Sequence, residues 1–140
     1  MPAHITLLIP FAEAHVVPER LEDVRAALAP FQPFECAFSE VAYFEQPRHY
    51  VYLRPEPREI LVAMIESLIA RFPEFPPYES AVSGIVPHLS VASADEEEPL
   101  RAIGAELKEA LPIRAQVRDV TIVEHVARVG WREHTSLPLG

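Results

Sequence analysis

A single cysteine, Cys36, stands in a chain of 140 residues. One thiol excludes an intrachain disulfide and a thiolate metal cluster, and its alternation with Phe34 and Phe38 predicts a small core residue. No run approaches the ~20 uncharged apolar residues that a membrane span needs. The amino terminus carries no basic stretch ahead of an apolar one, so a cytoplasmic protein with no membrane partner is expected. Positive charge is scarce as well. Lys and Arg total 12 against 21 Asp and Glu, for a net charge of −9, which argues against wrapping long DNA, because such binding draws its affinity from cations that displace counterions. A small phosphate-bearing ligand needs only a few local donors, and Arg48, Arg54, Arg114, Arg118, Arg128 and Arg132 fall in or beside expected strands. Neither H-E-x-x-H nor another tight ligand spacing joins His15, His49, His125 and His134, so no metal and no cofactor are expected. No serine sits in G-x-S-x-G and Cys36 has no evident activating partner, which leaves nucleophilic hydrolysis without support. With 49% hydrophobic and 24% charged residues, the composition is that of one folded domain rather than a disordered chain.

What the sequence has is a repeated pattern. His4-Ile5-Thr6-Leu7 and His88-Leu89-Ser90-Val91 both read histidine, apolar, hydroxyl, apolar. Each lies in an apolar run with strand character, and successive side chains of a strand point to opposite faces. His4 and Thr6 then share one face, and His88 and Ser90 another, while Ile5, Leu7, Leu89 and Val91 fill the reverse faces as core. A lone strand histidine is more often a hydrogen-bonded structural residue than a catalyst. Two copies, each with a proline close before it (Pro2, Pro87), favour a shared role.

The elements recur in the same order. A first strand is expected over about 3–10, then a helix from Pro18 to Pro30 with Leu21, Val24 and Leu28 in stripe. Strands over 34–45 and 48–54 follow as a hairpin. Pro57 starts a second helix through Phe72, on which Ile60, Met64, Leu68 and Phe72 share a side, and the proline-rich stretch to Pro77 stops it. The second histidine strand, about 84–92, precedes a helix from Pro99 to Leu111 and strand-like residues 113–126 and 128–133. The acidic run Asp95–Glu98 reads as the first turn of a helix, where negative charge complements exposed N–H groups. A duplication follows: lobes of about 1–56 and 84–140, bridged by the helix at 57–72. A pseudo-two-fold axis would set the two first strands side by side and bring His4 and His88 to opposite walls of one cleft.

These residues resemble the two-histidine (2H) phosphoesterases, and within them the bacterial 2′–5′ RNA ligase-like proteins. The likeness rests on the two tetrapeptides, the Pro10-Phe11 step, Pro87, and a tail in which Trp131 precedes Leu137-Pro138-Leu139. Ser90 stands where threonine is commoner in the family and keeps the hydroxyl. The resemblance implies a two-lobed α+β fold with antiparallel sheets flanking a central cleft and helices outside. It also implies metal-independent chemistry on RNA-type phosphodiesters, especially 2′,3′-cyclic phosphates, on a small nucleotide or an RNA 3′-end. Chemistry alone supports the same roles. Imidazole, with an unperturbed pKa of ~6.5, serves as general acid or base near neutrality, so His4 and His88 are the catalytic candidates, with Thr6 and Ser90 donating to phosphate oxygens. Phe11 and Trp131 are candidate substrate contacts because they follow the family-like segments; core packing is the alternative for both. The competing class is a non-catalytic module that binds a phosphorylated nucleotide or small ligand.

Overall fold

The computed structural model describes residues 2–45, 48–75 and 85–140. Proline and apolar spacing set the helices. The first, α1 (Val17–Leu28), has proline in its first turn, where the missing N–H costs nothing. It buries Val17, Val24, Ala27 and Leu28, a stripe at helical spacing. The chain then forms β1 (Phe34–Phe44) and β2 (His49–Glu56), paired antiparallel as the hairpin expected from the aromatic and β-branched content. Helix α2 (Arg58–Arg71) follows Pro57 and buries Leu61, Met64, Ile65 and Leu68. The aligned stripes of α1 and α2 pack on each other, and Ser67 Oγ donates to the Ala27 carbonyl at 2.6 Å. Asp23 accepts from Arg71 Nε and Nη2 at 3.0 and 2.6 Å.

Beyond residue 84 come β3 (Leu89–Ala94), α3 (Glu98–Ala110), β4 (Ile113–Val117), β5 (Asp119–Val126) and β6 (Gly130–Pro138). Among the described residues the strands make a four-stranded antiparallel sheet in the order β3-β2-β1-β4 and a two-stranded β5-β6 hairpin. The larger sheet therefore takes its two central strands from the first half of the chain and its two edges from the second. Helix α3 lies across β1, β2 and β3. It comes close to the sheet at Gly104, where a Cβ would stand 2.0 Å from Tyr43 Oη. The core joins Val24, Ala27 and Leu28 of α1 to Leu61, Met64 and Leu68 of α2, with Cys36, Phe38 and Leu53 of the sheet and Leu137 and Leu139 of the tail. Cys36 has no exposed surface, as its alternation predicts, and burial pushes its thiol pKa up.

Four expectations need correction. Residues 3–10 form no strand, so two first strands do not lie side by side. Pro2 and Pro10 at the ends of the segment have no N–H to give a ladder, and Ile5, Leu7 and Leu8 meet the core as an irregular extension instead. The second histidine strand begins at Leu89, one residue after His88, not at residue 84. Val91 is 39% exposed rather than core. The register passes from Tyr52↔Ser90 to Val51↔Ala92, so Val91 is the extra residue of a β-bulge, and such a residue is re-aimed out of the alternation. The expected run 113–126 also divides at Arg118, leaving β4 in the larger sheet and β5 in the hairpin.

Candidate active site

Register places the second half of the site. Residues directly opposite in an antiparallel pair point to the same face, and Tyr52 opposes both Ala42 and Ser90. Ala42, Tyr52 and Ser90 therefore form a row on one face, while Val41 and Leu53, also opposed, join the core on the other. His88, two positions before Ser90, meets the rings of this first face. Phe44 and Tyr52 stack with centroids 4.2 Å apart and planes inclined by 19°. The His88 ring stands edge-on to both, 5.1 Å from Phe44 and 5.6 Å from Tyr52. Tyr52 is 4% exposed, so the imidazole is held against a rigid aromatic wall and Ser90 lies exposed beside it.

The two histidines share a local geometry. His4 Nδ1 lies 2.9 Å from the Pro2 carbonyl oxygen, and His88 Nδ1 lies 2.8 Å from the Val86 carbonyl oxygen. A carbonyl oxygen only accepts, so Nδ1 carries the proton in both rings. Nε2 is then the nitrogen through which each imidazole exchanges a proton, because the hydrogen bond at one ring nitrogen fixes the role of the other. His4 is exposed and Thr6 half-buried, on the segment that Ile5, Leu7 and Leu8 anchor to the core.

Alongside His88 runs a groove lined by Glu40, Arg54, Pro55, Glu56, Arg58, Val86 and Pro87. Arg54 faces Glu40 across the strands, with Nε 3.6 Å from Oε1. Arg58, the first residue of α2, donates from Nη2 to the Ile85 carbonyl at 2.8 Å. The groove singles out Arg54 among the arginines considered from sequence. Arg48, Arg114 and Arg132, paired with Asp95, Glu35 and Glu124, do not line it. Sequence reasoning missed Glu40, Glu56 and Arg58, whose places depend on strand register and on a backbone acceptor that no side-chain pattern marks.

The remaining candidates go elsewhere. Phe11 packs edge-on against Phe72 and Phe75, at 5.1 and 5.3 Å. Trp131 is 44% exposed on β6 and stands edge-on to His125 at 5.3 Å. Glu97 of the acidic run pairs with Arg101, whose guanidinium lies 4.1 Å over the Tyr43 ring, and Asp95 pairs with Arg48 at 3.1 Å. Among the described residues no helix is long and apolar enough to cross a membrane.

The 2′–5′ RNA ligase superfamily profile matches residues 1–128. The chain belongs to that superfamily. The matched span includes both histidine tetrapeptides and ends before Trp131 and Leu137–Leu139. Among curated proteins, none matches the chain. Among the described residues, three helices and antiparallel sheets agree with the two-lobed α+β fold of 2H phosphoesterases, and membership brings 2H phosphoesterase-type chemistry as the class of activity.

Proposed function

We propose that the protein is a phosphodiesterase that opens a 2′,3′-cyclic phosphate, or cleaves a 2′–5′ phosphodiester, at a nucleotide or RNA end, without a metal. The observation that carries this reading is the twin histidine geometry. Each ring gives its Nδ1–H to the carbonyl two residues earlier and is followed two positions on by a hydroxyl residue. Superfamily membership supports it.

Ring opening needs two proton transfers, one on each side of phosphorus. One histidine Nε2 takes a proton from water as its oxygen bonds to phosphorus. The P–O bond to one ribose oxygen then breaks, and the Nε2–H of the other histidine protonates that oxygen, leaving a phosphomonoester. Convergence of His4 and His88 on one phosphate is part of this proposal. Thr6 and Ser90 donate to the non-bridging oxygens as charge develops there.

Purified protein assayed on 2′,3′-cyclic nucleotides is expected to turn them over, and His4→Ala and His88→Ala each to lose about 10²–10⁴-fold in kcat. Binding of the nucleotide by the parent protein with no turnover would favour the binding module instead.

A further inference from the structure

We propose that Arg58 is a positioning residue for His88, acting through the backbone of residues 85–87. This deepens the proposed function and rests on His88 as a proton-transfer group. Its guanidinium, at the start of α2, donates to the Ile85 carbonyl at 2.8 Å. The next carbonyl, that of Val86, accepts from His88 Nδ1 at 2.8 Å. Between Val86 and His88 stands buried Pro87. Its ring fixes its own φ and restricts the residue before it to extended conformations. Few soft torsions therefore separate the peptide that Arg58 holds from the peptide that holds the imidazole.

The segment that carries His88 has no ladder of its own. Residues 85–88 precede β3 and lie outside the sheet, so strand pairing does not set the Val86 carbonyl. The Arg58 bond ties this irregular stretch to a helix whose Leu61, Met64, Ile65 and Leu68 are buried. Phe44 and Tyr52 then bound the ring from the sheet side. Carbonyl and aromatic wall both contribute to its orientation, and the carbonyl favours the tautomer protonated at Nδ1. A small displacement of a catalytic group can cost up to about 100-fold in rate, which makes the tether consequential although Arg58 itself touches no reacting atom.

The test separates tether from chemistry by reading the ring directly. Parent protein, Arg58→Met and Arg58→Lys are labelled with 15N-histidine, and His88 is assigned by its loss in His88→Gln. Ring nitrogen shifts give the tautomer of the neutral imidazole. In the parent His88 is expected as the Nδ1–H tautomer; in Arg58→Met the population moves towards the Nε2–H form favoured by a free histidine side chain, and kcat on a 2′,3′-cyclic nucleotide falls by about 10- to 100-fold with KM within about twofold. Arg58→Lys keeps one cationic donor and is expected to recover part of both signals. Unchanged tautomer in both variants overturns the proposal, whatever the activity does. So does a rise in KM with kcat intact, which would make Arg58 a direct substrate contact. If the parent turns over no cyclic nucleotide but the tautomer shifts in Arg58→Met, the tether stands and the proposed function fails.

Discussion

Phe11 provides a direct test of packing against substrate contact. Its ring meets Phe72 at 5.1 Å and 77° and Phe75 at 5.3 Å and 68°, both edge-to-face. Such pairs contribute about 0.5–1.5 kcal/mol each beyond buried area. Phe11→Leu keeps most of the apolar volume and loses both, so unfolding free energy should fall by about 1–3 kcal/mol and Tm by about 3–10 °C. Phe72 is 1% exposed, and Phe72→Leu removes the nearer partner. Urea titration of the two single variants and the double variant closes a cycle. A coupling of about 0.5–1.5 kcal/mol between the sites is expected, with KM for a cyclic nucleotide unchanged by Phe11→Leu. Additive effects, together with an unchanged Tm and a raised KM, would refute the packing argument and return Phe11 to the substrate.

The proposed acid–base pair predicts a bell-shaped dependence of kcat/KM on pH; a monotonic profile across about pH 5–9, with chemistry rate-limiting, would count against it. Gly104→Ala puts a methyl group 2.0 Å from Tyr43 Oη, so it should destabilise by about 1–3 kcal/mol in urea unfolding, and Tyr43→Phe should relieve part of that loss. Because burial raises the Cys36 pKa, the unfolded chain gives up its thiol proton at lower pH than the folded one. Stability from this group is therefore full below the free-thiol pKa and declines as pH rises past it, and Cys36→Ala should flatten that alkaline decline. Ser67→Ala removes the 2.6 Å bond to the Ala27 carbonyl and should cost about 0.5–1.5 kcal/mol, measured as a lower urea midpoint.

Much of the helical frame was legible because proline and 3.6-residue spacing are local signals. Pro18, Pro57 and Pro99 mark the starts of α1, α2 and α3 within a residue or two. The β1–β2 hairpin was equally plain in its aromatic and β-branched content. What stayed hidden depends on partners distant in sequence. Residues 3–10 have strand-like composition but form no strand, so composition alone misled. The bulge at Val91 reverses the alternation on which the face assignments rested, and nothing in Leu89–Ala94 announces it. In the candidate site, the histidines and hydroxyls were readable as a repeated pattern. The Phe44–Tyr52 wall was not, because it exists only once β1 and β2 are in register, and the Arg58 bond spans 27 positions to a backbone oxygen.

The extra residue at Val91 divides β3 into two phases. Ser90 is timed to the face that meets His88, and Ala92–Ala94 are timed independently against Val51, Tyr50 and His49. Insertions or deletions beyond the bulge can thus slip the outer part of the strand without rotating Ser90. That decoupling lets the outer part of the strand vary while the proposed phosphate contact of Ser90 keeps its aim.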